Sequence, residues 1–219
     1  MGHGEKQKKN VRNLIVNILV ACEFSGVVRD AFTALGHNAW SCDLEPTETP
    51  GQHIQDDVRN HLEGWDLIIA HPPCTYLTVA GNKWNNPEYR ERFPDRPQQT
   101  EDAVQFFKDL YNAPCEQVCI ENPVGIMSSR FRKPDQYVCP TMFGHKAPKK
   151  TGLWLRGLPL LKPTNPVELT DEDYVVFKSG KRWSRWYYET GNERTPALKA
   201  KARNRTFEGV AHAMASQWG

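Results

Sequence analysis

Leu14-Ile15-Val16-Asn17-Ile18-Leu19-Val20-Ala21 is a mostly apolar, β-branched run that ends in small residues, and it predicts a buried strand. Val27 to Leu35 carries helical spacing and is stopped by Gly36. Asn38–Cys42 predicts a second, short strand that runs into Asp43 and Glu45. Trp65-Asp66-Leu67-Ile68-Ile69-Ala70 predicts a third, cut off by Pro72-Pro73. Glu101–Tyr111 reads as a helix with Val104, Phe107, Leu110 and Tyr111 on one face. Gln117-Val118-Cys119-Ile120 predicts another buried strand, with Glu121-Asn122-Pro123 as a polar turn after it. Thr151–Leu155 is the last strong strand, and Gly209–Trp218 reads as a helix rich in small residues.

Strands that alternate with helices predict an α/β fold with a mostly parallel sheet and helices on both faces. In such sheets ligands collect beyond the carboxyl ends of the strands. The polar exceptions of this sequence sit there: Glu23-Phe24-Ser25-Gly26, Asp43, His71-Pro72-Pro73-Cys74 and Glu121-Asn122-Pro123. Four strand ends converge on one site. Residues 83–100 are polar, carry three prolines and follow the Pro-Pro-Cys turn, so they read as a functional loop. Residues 156–205 read as irregular. Their second half, 178–205, interleaves Lys181, Arg182, Arg185 and six more cations with Trp183, Trp186, Tyr187 and Tyr188.

Composition narrows the field. Apolar residues make up 39% and charged residues 25% of 219, which excludes a disordered chain. The 28 Lys and Arg against 26 Asp and Glu leave a net charge of +2, so any nucleic-acid contact must rest on the local cluster in 178–205. No apolar run reaches the ~20 residues of a membrane span. The polar first ten residues carry no secretory segment, so a cytoplasmic protein is expected. Residues 1–12 read as a flexible basic tip. The 6 cysteines form no CxxC pair and the 7 histidines no zinc-ligand spacing, so neither disulfides nor a metal are expected.

Three positions carry candidate chemistry. Phe24-Ser25-Gly26 would turn the backbone tightly and leave room for a nucleoside, and Asp43 is spaced to accept a ribose hydroxyl. Cys74, held on a rigid Pro-Pro turn at the sheet edge, is placed like a nucleophile. Glu121 closes a buried strand, so desolvation should raise its pKa and suit it to act as an acid. The other five cysteines read as structural.

In this order, Phe24-Ser25-Gly26, Asp43, Asp57, Pro72-Pro73-Cys74 and Glu121-Asn122-Pro123 resemble the motifs of the DNA cytosine-5 methyltransferase family. Phe143-Gly144 through Leu155 is similar to that family's Tyr-Gly…Gln-x-Arg-x-Arg strand, and Asn204-Arg205-Thr206-Phe207 to the start of its closing helix. The resemblance spans about residues 14–155 and 204–219. It implies a Rossmann-like methyltransferase fold binding S-adenosylmethionine through Phe24, Ser25, Gly26, Asp43 (ribose), Asp57 (adenine) and Pro72. It further implies Cys74 as the nucleophile at cytosine C6, Glu121 as the acid at N3, and Asn122, Lys149 and Thr151 at the substrate.

The target base would flip out of double-stranded DNA, with residues 75–100 as a lid. Residues 13–155 would then be the catalytic and cofactor domain, 156–205 a small recognition region, and 206–219 a helix returning to the domain. Lys181, Arg182 and Arg185 would neutralise phosphates, and the rings beside them would stack on bases. The family's large recognition domain is absent, and this compactness resembles its phage-encoded versions. Lys149-x-Thr151 stands where the family has Arg-x-Arg. Two alternatives remain open. His71-Pro72-Pro73-Cys74 also resembles the Asp-Pro-Pro-Tyr motif of exocyclic amino-methyltransferases, and a non-catalytic nucleic-acid-binding protein could retain the fold.

Overall fold

In the computed structural model, which describes residues 15–219, the first apolar run forms β1 (Asn17–Ala21). It is followed by α1 (Val27–Ala34), β2 (Asn38–Asp43) and β3 (His53–Gln55). β4 (Leu67–Ala70) leads through the short α2 (Val79–Asn82) to α3 (Arg96–Tyr111). β5 (Gln117–Pro123), the one-turn α4 (Met127–Arg130), β6 (Gln136–Val138) and β7 (Thr151–Arg156) come next. A separate hairpin of β8 (Tyr174–Val176) and β9 (Arg182–Ser184) precedes α5 (Arg185–Gly191), α6 (Pro196–Asn204) and α7 (Glu208–Trp218).

The fold is α/β, built on a seven-stranded sheet in the order β3-β2-β1-β4-β5-β7-β6. β1 to β5 run parallel, and β7 runs against both of its neighbours. β4 and β1 after its first residue, Asn17, are apolar without a break because they are covered on both faces. Their alternation sorts the core. Ile18, Val20, Leu67 and Ile69 pack with Val28 and Phe32 of α1 and Ala211 and Met214 of α7. Leu19, Ala21, Ile68 and Ala70 pack with Val104, Phe107 and Leu110 of α3 on the other face. The chain winds outward from β1 to one side and then from β4 to the other. The crevice between these two strands is the switch point where such sheets bind ligands.

Several boundaries differ from those read in the sequence. Leu14 lies outside the described residues, as does the basic tip 1–12, and Ile15 is 71% exposed. β1 begins at Asn17, where pairing to Asn38 starts and where Asp66 accepts from the Asn17 amide at 2.8 Å. α3 begins five residues earlier than expected because Pro97 sits in its first turn, where a missing N–H costs nothing. Glu121-Asn122-Pro123 is not a turn: it extends β5, paired with Leu153, Gly152 and Thr151 of β7. Region 156–205 is not irregular throughout, since it holds the β8–β9 hairpin, α5 and α6. Among the described residues, no helix is long and apolar enough to cross a membrane.

Candidate functional site

The turn after β1 is built around two unusual backbones. Cys22 has φ 58, a left-handed conformation rare outside glycine, and Gly26 has φ 75. The tight turn expected at Gly26 is present, but the room for a nucleoside is not: a Cβ there would lie 2.2 Å from Thr49 Oγ1. That space is filled by Thr49 and by the buried Arg29 guanidinium, which donates to Ser41, Thr47, Thr49 and the Pro50 carbonyl. The N-terminus of α1 is occupied as well. The buried Glu23 carboxylate accepts from the Val28 amide at 2.7 Å and the Arg29 amide at 3.2 Å. An anion site of the kind that binds phosphates is already satisfied by the chain itself.

The nucleoside-sized space lies on the β2 side instead. A cavity of about 430 Å³ opens beyond β1, β2 and β4, walled by Leu44, Val58, Pro73, Tyr76 and Phe106. Its charges are Asp43, Asp56, Asp57 and Asp102 against Arg59 alone, an acidic balance that suits a cationic ligand. Burial pushes the Asp43 carboxyl up, although Glu45 donates its amide to it at 3.0 Å. Asp57 is held below the usual range by Arg59, which grips it at 2.5 Å and donates its own amide at 3.0 Å.

A second, narrow cavity of about 20 Å³ adjoins Cys22, Glu23, Phe24, Ser25, His71 and Arg205. Cys22 lines both cavities. Phe24 and Ser25 therefore face this narrow pocket, while Gly26 faces neither. Pro73 rather than Pro72 faces the large one: Pro72 is buried and its carbonyl accepts from Asn122 at 2.9 Å.

Across the switch point lies the cluster around Cys74 and Glu121. Cys74 follows the two prolines, and its carbonyl accepts from the Leu77 and Thr78 amides, both at 3.0 Å, which closes a helical turn. Arg96 clamps that turn by donating to the Thr75 carbonyl at 2.9 Å and stacking on Tyr76 at 4.5 Å. The proposed lid 75–100 is thus largely anchored, and its last residues belong to α3. Burial pushes the Cys74 thiol up; Lys149 works against that and Glu121 with it.

Glu121 departs from the expectation that its pKa rises. Burial alone would raise it, but the His71 hydrogen bond at 3.2 Å and the Lys149 charge outweigh burial, with help from Thr151, and hold the carboxyl below its ordinary value. The side chains of Glu121 and His71 are only 17% and 8% exposed. Lys149 donates to the Arg203 carbonyl at 2.7 Å, which brings the C-terminal end of α6 to the cluster. Among the described residues, the buried His71 Nε2, Asn122 Oδ1 and Arg96 Nε have no hydrogen-bond partner.

Cys74, Glu121, Lys149 and Thr151 are thus brought together, with Asn122 beside them. Lys181, Arg182 and Arg185 lie on the separate hairpin and α5 instead. Two of these are already engaged: Arg182 pairs with Asp171 at 2.7 Å, and Arg185 donates to the Glu172 carbonyl at 2.8 Å. Lys181 lies over the Trp183 ring at 5.1 Å. Composition had suggested a free basic stretch, but the acidic turn Asp171–Asp173 folds against it.

Sequence reading missed Cys22, Arg59, Tyr76 and Phe106 in the large cavity, and His71 and Lys149 as the groups that set the charges of Glu121 and Cys74. Position at a strand end was the available signal for Cys22 and His71. Phe106 and Arg59 had none, since neither stands at a strand end. No protein-family model matches the chain, and no curated protein matches it.

Proposed function

We propose that the chain is an S-adenosylmethionine-dependent DNA methyltransferase that acts at C5 of cytosine, with Cys74 as nucleophile and Glu121 at N3. One observation carries this reading: two unlike sites adjoin at one sheet edge. The first is a nucleoside-sized cavity walled by rings and carboxylates. Beyond Pro73 lies the second, a thiol that shares its field with Glu121 and Lys149. The strand order, with β7 alone reversed between β5 and β6, is that of the Rossmann-like methyltransferases and supports the reading at the level of fold.

The cavity fits the cofactor on three counts. It has the volume for a nucleoside, a ribose acceptor in Asp43, and an acidic balance suited to a cationic tail. Phosphate-bearing cofactors fit less well, because Glu23 already fills the α1 N-terminus. Asp43 would hold the ribose hydroxyls and Asp57 the adenine amino group, shared with Arg59. Leu44, Val58 and Phe106 would cover the adenine ring. When bound, S-adenosylmethionine supplies an electrophilic methyl group on a sulfonium sulfur.

The chain's own residues divide the remaining work. Cytosine C5 is a poor nucleophile until a thiolate adds at C6 and N3 carries a proton. As Sγ of Cys74 adds to C6, the proton that leaves the thiol passes through solvent to N3, and the Glu121 carboxylate accepts a hydrogen bond from that N3–H. A pKa below the ordinary value keeps Glu121 anionic and able to pair with that N3–H. Once the pair forms, the Glu121 charge no longer opposes the Cys74 thiolate, so the base itself promotes ionisation of the nucleophile. After methyl transfer, loss of the C5 proton to solvent and expulsion of Cys74 restore the ring, and the N3 proton returns through solvent to the thiolate. A stacked base cannot meet Sγ, so the nucleotide must leave the helix.

The test is a pair of measurements. Labelled S-adenosylmethionine and DNA should yield 5-methylcytosine by nucleoside mass spectrometry. DNA carrying 5-fluorocytosine should trap a covalent complex that is lost in Cys74→Ala. An absence of cofactor binding by calorimetry would defeat the reading. His71, whose buried Nε2 has no partner among the described residues, stands where the amino-methyltransferase motif carries its Asp before the prolines, which favours amino methylation as the second reading. In that case Cys74→Ser would leave N4- or N6-methylation intact.

A further inference from the structure

The β8–β9 hairpin, α5 and α6, with Pro148, border a third, open cavity of about 380 Å³, which takes no part in the reaction above. Its walls include Tyr174, Trp183 and Tyr187, and Arg182 and Arg203 stand at it. Two of the rings are open to solvent, Trp183 at 41% and Tyr187 at 38%, which is unusual for large apolar groups in a region this small. The rings are also held in place. Arg182 stacks on Tyr174 at 4.5 Å, Phe177 meets Trp183 edge-on at 5.5 Å, and the buried Ser184 accepts from the Tyr187 amide at 3.3 Å. Rigid exposed rings beside guanidinium groups are the chemistry that stacks nucleobases and pairs with phosphates.

We propose that this cavity receives one unpaired nucleobase of the DNA strand, beside the base that enters the Cys74 site. The volume admits a single base and its sugar; Arg182 stays paired with Asp171, but Arg203, whose Nε donates to the Thr190 hydroxyl at 3.3 Å rather than to a carboxylate, suits a polyanion rather than an apolar peptide. Arg203 ties the two sites together, because it stands at this cavity while its carbonyl accepts from Lys149 at 2.7 Å. Lys149 is the cation that acts on Cys74. The inference rests on DNA being the substrate, and it adds a preference: a strand with unpaired bases should bind better than a perfect duplex.

Fluorescence anisotropy should compare a single-stranded oligonucleotide, a duplex with one bulged base and a perfect duplex. Trp183→Ala should weaken binding of the first two ~10–100-fold, the range of one lost stacking contact, and change the perfect duplex less. Trp183→Phe should restore most of that loss. Trp183→Leu, which keeps apolar bulk without the ring, should not, and it serves if the alanine variant fails to fold. Cofactor binding by calorimetry should be unchanged in all three. Unchanged single-strand affinity in Trp183→Leu would overturn the proposal, as would equal losses on all three DNAs. Trapping by 5-fluorocytosine is read separately, so a failure of the C5 reading leaves this result interpretable, and the reverse holds too.

Discussion

Two carboxylates near the same edge of the sheet, one on β2 and one on β5 with β1 and β4 between them, are tuned in opposite directions. Asp43, at the end of β2, faces a cavity in which acids outnumber cations, and burial raises its pKa. Glu121, in the part of β5 that pairs with β7, is more enclosed, yet its pKa is lowered by His71, Lys149 and Thr151. Burial does not decide the charge of a strand-end acid; its partners do. An under-compensated acid waits for a cation from outside, which suits a binding site. A compensated acid keeps its charge through a reaction, which suits catalysis.

Exchange of function between the two acids would break this contrast. Glu121→Gln should lower methyl transfer ~10²–10⁴-fold, the usual worth of a positioned proton-handling group, and leave cofactor affinity near wild type. Asp43→Ala should do the reverse. Cofactor affinity should fall by ~1–3 kcal/mol in calorimetry, and 5-fluorocytosine trapping should persist at saturating cofactor. If both variants lose affinity and trapping together, the edge is one site rather than two.

A third substitution asks whether the β1 turn serves the cavity or only the fold. Gly26→Ala forces a left-handed alanine whose Cβ meets Thr49, so thermal unfolding should report a loss of ~2–4 kcal/mol. Residual folded protein should bind cofactor normally, because Gly26 faces neither cavity.

Acid titration sharpens the contrast by sign. The raised pKa of Asp43 means that cofactor affinity should start to fall at a pH above the ordinary aspartate range. In stability the same shift is a cost at neutral pH that is relieved as Asp43 protonates. The depressed pKa of Glu121 contributes stability that is complete above the ordinary glutamate value and is lost only as pH falls through the depressed one. Asp57, held down by Arg59, behaves like Glu121. Loss of cofactor affinity should therefore precede acid unfolding when both are followed on one sample. Coincident transitions would mean that Asp43 is not the group that the ligand meets.

The parallel half of the sheet was legible because its strands are buried on both faces and each ends in a polar break. Ile18 to Ala21 and Leu67 to Ala70 needed no partner knowledge to be read. The β5–β7 half was harder. Glu121-Asn122-Pro123 has turn composition, and only the antiparallel pairing with β7 makes it a strand, a long-range fact that local propensity cannot carry. Region 156–205 was least legible because its elements are short and held by side chains far apart in sequence, such as Lys149 on the Arg203 carbonyl. Cys74 and Glu121 could be found by position and motif order. The direction of the Glu121 shift could not, since it depends on His71, fifty residues away.

The smallest expected effect tests the one cation in the cluster. Lys149 opposes the burial that keeps Cys74 a thiol, and Glu121 reinforces that burial. The thiolate is the reactive form, so alkylation by iodoacetamide reports its population. Lys149→Met removes the favourable charge at similar length and should slow alkylation of Cys74 several-fold at mildly alkaline pH. Glu121→Gln should accelerate it by a comparable factor. The other cysteines supply an internal reference: burial raises the Cys42 pKa to about 11 and pushes the Cys22 and Cys119 thiols well up, and Cys42 and Cys119 are fully buried, so peptide mapping should find Cys74 modified before any of these three. Opposite responses of one thiol to the two substitutions would show that Cys74 sits in a field set by both residues. Equal rates in both variants would place Lys149 and Glu121 outside that field, and the cluster would reduce to two structural side chains beside an ordinary buried cysteine.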